Sequence, residues 1–192
     1  MKTLQKHPFY GNDLETYLPY FLKKLQHINA VPPAAWDRLR PCMELVSCIK
    51  GHPLRNRPGD FYFVCKGLLK EEYDQHGKLT ITRFIKEDDP LFITLNSYQG
   101  FLIAVEDCTL LRLSRENYLA LRTHFPIIGM RFDELMEEWY EVLNLRIGLI
   151  ALPIKNRFSA FKRAFPRLST RILKKDIARY LEINSTYFSE IQ

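Results

Sequence analysis

The 192 residues are 46% apolar and 13% aromatic and carry a formal charge of +6, a composition that excludes a disordered chain and suits one large domain or two small ones. No apolar run approaches the ~18 residues of a membrane span, and the opening MKTLQKHPFYGNDLETYLPYF lacks the apolar stretch of a secretion signal, so a cytoplasmic protein with no membrane partner is expected. Cys42, Cys48, Cys65 and Cys108 form no C-x-x-C and the five histidines are scattered, so no disulfide framework, metal or cofactor is expected, and the cysteines read as small core residues.

The first region, residues 1–125, opens with a helix. In NDLETYLPYFLKKL, Leu14, Tyr17, Leu18, Phe21 and Leu22 recur at helical spacing behind Asn12, a suitable cap, and Pro19 predicts a kink or break. PPAAWDRLR predicts a short helix with proline in its first turn. Short strand candidates follow: Phe61–Cys65 and Leu68–Tyr73 around Lys66-Gly67, then a turn at Asp74–Gly77 into Lys78–Ile85, then Phe101–Val105 and Thr109–Leu113. Strands this short and this closely spaced predict a small barrel or double sheet. Ser114 is placed to cap a helix that ends before Pro126.

The second region, residues 126–152, reads as one long helix. Ile128, Phe132, Leu135, Trp139, Val142, Leu143, Ile147 and Ile150 form a stripe at steps of three and four, about 35 Å long at 1.5 Å per residue. A seam of that length carrying Phe132 and Trp139 favours pairing with a second copy of the chain, and packing within the chain is the alternative.

The third region, residues 153–192, holds the whole charge excess, with nine Lys/Arg against three Asp/Glu. A basic end on a neutral body points to an anionic partner. KNRFSAFKRAF predicts a helix with Phe158, Phe161 and Phe165 on one side, closed by Pro166. STRILKKDIARYLE predicts a second, capped by Ser169, and NSTYFSEIQ a third, capped by Asn184. Small Ala178 permits two helices to cross closely, Ile183 follows the turn, and Phe188 with Ile191 is placed to plug the space between them. Three short helices, a tight turn and a charge of +6 describe a helix-turn-helix unit.

At this point the segments YFVCKGLLKEEYDQHGKLTITRFI, AVEDCTLLRLSRENYLALRTHFP and NRFSAFKRAFPRLSTRILKKDIARYLEINSTYFSEI resemble the cyclic-AMP receptor protein/fumarate-nitrate regulator (Crp/Fnr) family of bacterial transcription regulators, over about Leu45 to the end of the chain. The resemblance implies an α+β protein: a cyclic-nucleotide-binding-like jelly-roll barrel, a long central dimerisation helix and a C-terminal helix-turn-helix domain. The chain ends about two turns into the last helix, so the wing that follows it in the family is expected to be short or absent.

Two departures from the family pattern bear on function. Members that bind cyclic AMP carry a Gly-Glu pair and, some ten residues on, an arginine that neutralises the phosphate. The matching Asp89–Ala104 stretch has neither, and the twenty-five residues from Glu87 to Leu111 hold no Lys, Arg or His. A buried phosphate without a cation is costly, so cyclic nucleotides are not expected to bind. Any effector pocket should be apolar, near Phe63, Phe92, Ile93, Leu95, Tyr98 and Leu102, with a filled core as the alternative. Iron–sulfur cysteine spacing is also absent. In the last helix, Ser185, Thr186 and Glu190 stand where the family often reads bases with Arg-Glu and a further Arg, and Glu182 stands where the turn usually has glycine. DNA contacts are therefore expected from Arg167, Arg171, Lys174, Lys175 and Arg179 to phosphates, with Asn184, Ser185, Thr186, Ser189 and Glu190 near the bases.

No nucleophile–base pair, metal spacing or phosphate loop suggests an enzyme. The expectation is a homodimeric regulator of double-stranded DNA, unresponsive to cyclic AMP and open to an unknown apolar effector. The alternative is a dimeric interaction module whose basic domain binds an acidic protein.

Overall fold

The computed structural model describes residues 13–75, 77–95, 100–184 and 188. Its helices are α1 (Asp13–Ile28), α2 (Pro33–Leu39), α3 (Arg115–His124), α4 (Pro126–Ala151), α5 (Ile154–Ala164) and α6 (Lys174–Tyr180). Its strands are β1 (Met43–Cys48), β2 (Phe61–Lys66), β3 (Leu69–Gln75), β4 (Lys78–Ile85), β5 (Pro90–Phe92), β6 (Gly100–Ala104) and β7 (Cys108–Leu113).

Strand β2 shows why the fold is layered. Its apolar run FYFV is buried on both faces: Phe61 and Phe63 join one core, Tyr62 and Val64 another, as a period of two requires. All strand pairs are antiparallel, in two open sheets ordered β1-β7-β2-β5 and β4-β3-β6, and not in the closed barrel expected. Val64, Leu110 and Cys108 of the first sheet meet Leu69, Ile85 and Leu102 of the second in the core between them. The other face of the first sheet carries the helices: Phe61, Phe63, Leu111 and Leu113 pack with Leu18, Phe21 and Leu25 of α1 and with Ile128, Phe132 and Leu135 of α4. Each such large apolar side chain, fully buried, contributes roughly 1.5–3 kcal/mol.

That packing explains α1. The helix runs through Pro19 without a break, because Leu18, Phe21 and Leu25 are held on the core while Pro19 faces solvent. Its expected cap, Asn12, lies outside the described residues. Elsewhere the local signals act as read: proline opens α2, and the Ser114 hydroxyl accepts from the Asn117 amide at 3.2 Å to start α3. Strands β1 and β5 carry no strong alternation of their own and are recruited by their neighbours, β1 by β7 and β5 by β2.

The C-terminal unit does not stand apart from the sheets. Phe161, Leu168, Ile172, Ile177, Tyr180 and Leu181 share one core with Ile81 and Phe84 of the second sheet, with Leu68 just before β3, and with Leu149 of α4. Tyr180 lies 5.1 Å from Phe84 and 5.6 Å from Phe161, centroid to centroid. Ser169 does not cap α6: it lies in a 3₁₀ turn, Leu168–Thr170, its hydroxyl donates to the Pro166 carbonyl, and α6 begins only at Lys174.

Candidate nucleic-acid interface

The basic unit is built around the turn after α6. Ala178 is buried, and the Ile183 amide donates back to the Ala178 carbonyl at 2.9 Å. This reversal needs a left-handed residue, and Glu182 supplies it with φ 54°. The glutamate in a glycine position thus pays about 1 kcal/mol of backbone strain. Two arginines hold the turn from outside. Arg146 of α4 donates Nε to the Tyr180 carbonyl at 3.1 Å and Nη2 to Glu182 Oε1 at 2.8 Å, and Arg157 of α5 donates Nη1 to the Leu181 carbonyl at 2.9 Å. The sequence reading missed both, since nothing local distinguishes them from surface cations. Phe188 is buried as expected, Ile183 is buried beside it, and the Phe188 amide donates to the Asn184 carbonyl at 2.8 Å, while Ile191 lies outside the described residues.

Of the residues expected at DNA, Arg167, Lys174, Lys175, Arg179 and Asn184 are exposed. Arg179 sits 3.7 Å from the buried Asp176 carboxylate. Ser185, Thr186, Ser189 and Glu190 lie outside the described residues. Arg171 is partly buried and turned inward. It donates Nε and Nη2 to Glu106 at 2.8 and 2.6 Å, and Nη1 and Nη2 to Glu87 at 2.8 Å each. These bonds hold both carboxyls below the ordinary glutamate value and raise the guanidinium further above its own.

The expected effector pocket divides. Phe63 and Leu102 are buried in two different cores, and Tyr98 lies outside the described residues. Phe92, Ile93 and Leu95 line a cavity of about 460 Å³ between β5, α3 and α4, with Phe61, Trp139 and Tyr140 and with Arg115 at one side. Next to it is a buried cation that the scan of Glu87–Leu111 did not reach. Arg83 donates Nε and Nη2 to Glu71 at 2.7 and 3.0 Å, and its guanidinium lies 3.8 Å from the Trp139 ring centroid. Glu71 and Arg83 are directly opposite in the β3–β4 ladder, beside a bulge, and the Thr82 hydroxyl donates to Glu71 at 2.6 Å.

The α4 stripe divides in the same way. Ile128, Phe132, Leu135 and Trp139 are buried within the chain, so those four are not available to a second copy. Val142, Leu143 and Ile150 are half-buried and Ile147 is 59% exposed. Besides Ile147, the helix exposes apolar residues outside the stripe, Met130, Tyr140 and Leu145. The stripe mixes two faces because α4 leaves the first sheet midway and spends its second half on the C-terminal unit.

The four cysteines are unpaired and buried or half-buried, and burial pushes Cys65 and Cys108 up to about 12. Among the described residues no group of three or more His, Cys, Asp or Glu could hold a metal, and no helix is long and apolar enough to cross a membrane.

No family model and no curated protein matches the chain. Solved structures do match in fold. A Crp/Fnr-family regulator from Eubacterium rectale matches 92% of this chain and 85% of its own, with TM-score 0.69 and 14% identity. FixK2 from Bradyrhizobium japonicum matches 78% and 82%, at 0.67 and 14%. The c-di-GMP-responsive global regulator CLP from Xanthomonas campestris matches 83% and 89%, at 0.62 and 11%. The chain has a Crp/Fnr-like fold, and two of these three neighbours, those from Eubacterium rectale and Xanthomonas campestris, are named as regulators.

Proposed function

We propose that this protein is a homodimeric, cytoplasmic transcription regulator that binds double-stranded DNA through residues 153–192 and does not respond to cyclic AMP. One observation carries the reading: the chain's entire charge excess sits on a short helix–turn unit whose Arg167, Lys174, Lys175 and Arg179 are exposed, on a fold shared with transcription regulators. Lysine and arginine on an exposed turn bind phosphate with a strong salt dependence and little sequence information. Sequence reading then falls to Asn184 and the polar residues after it. The test is genome-wide mapping of bound DNA followed by titration. A regulator binds a mapped site at least about a thousandfold tighter than bulk duplex, and equal affinity for both contradicts the reading.

The dimer forms through the apolar face of α4 that the chain leaves uncovered or half-covered, the exposed Tyr140 and Ile147 with the half-buried Leu143 and Ile150, whose steps of three and four suit a two-helix seam. Cyclic nucleotide is disfavoured because Arg83, the buried cation packed on the cavity's Trp139, is already neutralised by Glu71. Micromolar cyclic-AMP affinity by calorimetry contradicts this. The cavity under α4 suits an apolar effector, since its volume lies in the range of small-molecule sites. A second reading, a dimeric module for an acidic protein partner, is favoured by Arg171, whose contacts are carboxylates. In that case an acidic protein displaces duplex DNA and no mapped site is preferred.

A further inference from the structure

Arg171 was expected at a DNA phosphate, and four of its five N–H donors are spent on two carboxylates. Both carboxylates belong to turns of the sheet region, Glu87 between β4 and β5 and Glu106 between β6 and β7. Each is gripped bidentately, the arrangement in which arginine also takes a phosphate.

The backbone places both acids in advance. Gly67, at φ 93°, donates its amide to Glu87 Oε1 at 3.0 Å, and the Glu106 amide donates to the Leu68 carbonyl at 3.3 Å. A side chain at Gly67 would meet the Asp107 carbonyl oxygen at 2.5 Å and Cys108 Sγ at 2.8 Å, so the Gly67 turn packs directly on the turn that carries Glu106 while its amide holds Glu87. A few residues along the chain, Lys70 Nζ donates to Asp176 of α6 at 3.0 Å, a second ionic tie between the sheet and the basic unit.

We propose that Glu87 and Glu106 act as an internal phosphate mimic: they latch Arg171 and hold the basic unit on the β4-β3-β6 sheet, so that duplex DNA must compete with the sheet for this guanidinium. This rests on the DNA-binding reading above. With one N–H left, Arg171 cannot grip a phosphate bidentately while latched, and two glutamates beside it repel the DNA backbone. The latch therefore holds the protein in a weakly binding state. Anything that moves the Glu87 or Glu106 turn away from Arg171 raises DNA affinity.

The test uses the full chain and a random-sequence duplex in an anisotropy titration, with amide hydrogen exchange of Lys174–Tyr180 as a readout independent of DNA. Glu87→Gln/Glu106→Gln keeps the shape of both side chains and removes their charge. The expected result is duplex binding tighter by on the order of tenfold, with faster exchange in α6, and Arg171→Gln binding more weakly than the double variant. If the double variant does not fold, Glu106→Gln alone is read in the same way, with a smaller gain. Faster exchange at unchanged affinity makes the contact purely structural and overturns the latch while leaving DNA binding intact. Arg171→Gln binding as tightly as the double variant also overturns it, because the arginine then makes no phosphate contact. No duplex binding by wild type or variants removes the DNA reading itself.

Discussion

At the scale of single residues, the structure sorts side chains that look alike in sequence. Trp139 was read as part of a seam between copies, yet it is 6% exposed and stacks on Arg83. Trp139→Ala should therefore cost about 3–5 kcal/mol of folding stability, measured by urea unfolding, and its loss does not test association. Cys48 and Cys108, opposite each other in the β1–β7 ladder and both buried, are expected to resist alkylation in native protein and to react only on unfolding. Glu87 and Glu106 supply a pH dependence. Because Arg171 depresses both pKa values, their contribution is fully present above the unfolded glutamate value, about 4.3, and is lost as pH falls below it through the depressed folded values. The melting-temperature difference between wild type and Glu87→Gln/Glu106→Gln should thus be constant from neutral pH down to about pH 5 and shrink in stronger acid. Glu182 was singled out in the sequence only because the resembling family has glycine there, and its φ of 54° supplies the physical reason for that glycine. The Arg171 pairing was not, because its partners lie 84 and 65 positions away and no local pattern links them.

At the scale of elements, periodicity was informative where one face of an element is buried and ambiguous where two are. The β3–β4 hairpin, α3 with its Ser114 cap, and the extent of α4 follow from local signals. β1 and β5 do not, because their pairing is dictated by β7 and β2. The stripe on α4 was seen, but its use was not. An apolar run at steps of three and four cannot say whether it meets a sheet, a neighbouring helix or another chain, and this helix meets a sheet with its first half. The residues left for a second copy are those the chain does not cover. Ile147, 59% exposed, is the sharpest test: Ile147→Glu should yield a monomer by light scattering with stability changed by less than about 0.5 kcal/mol. A dimer that survives this substitution rejects the exposed face as the seam.

At the scale of the whole molecule, composition located the basic end but not its posture. Of the nine cations of residues 153–192, five, Arg167, Arg171, Lys174, Lys175 and Arg179, were expected at DNA phosphates. Folding turns Arg157 onto the carbonyls of the turn and Arg171 instead onto two glutamates, and leaves Arg167, Lys174, Lys175 and Arg179 on the surface. The layered order, with helices on one sheet and the basic unit on the other, means that the basic unit shares a core with the sheet region and feels any change there. The claim at the centre of this account is that the remaining exposed charge meets a polyanionic duplex. The most direct test is the affinity of the full chain for a random duplex as a function of salt. The account predicts a linear fall of log affinity with log salt, with a slope reaching roughly −7 if four cations on each of two subunits all engage phosphates. Absence of binding at about 50 mM salt, or binding indifferent to salt, contradicts it.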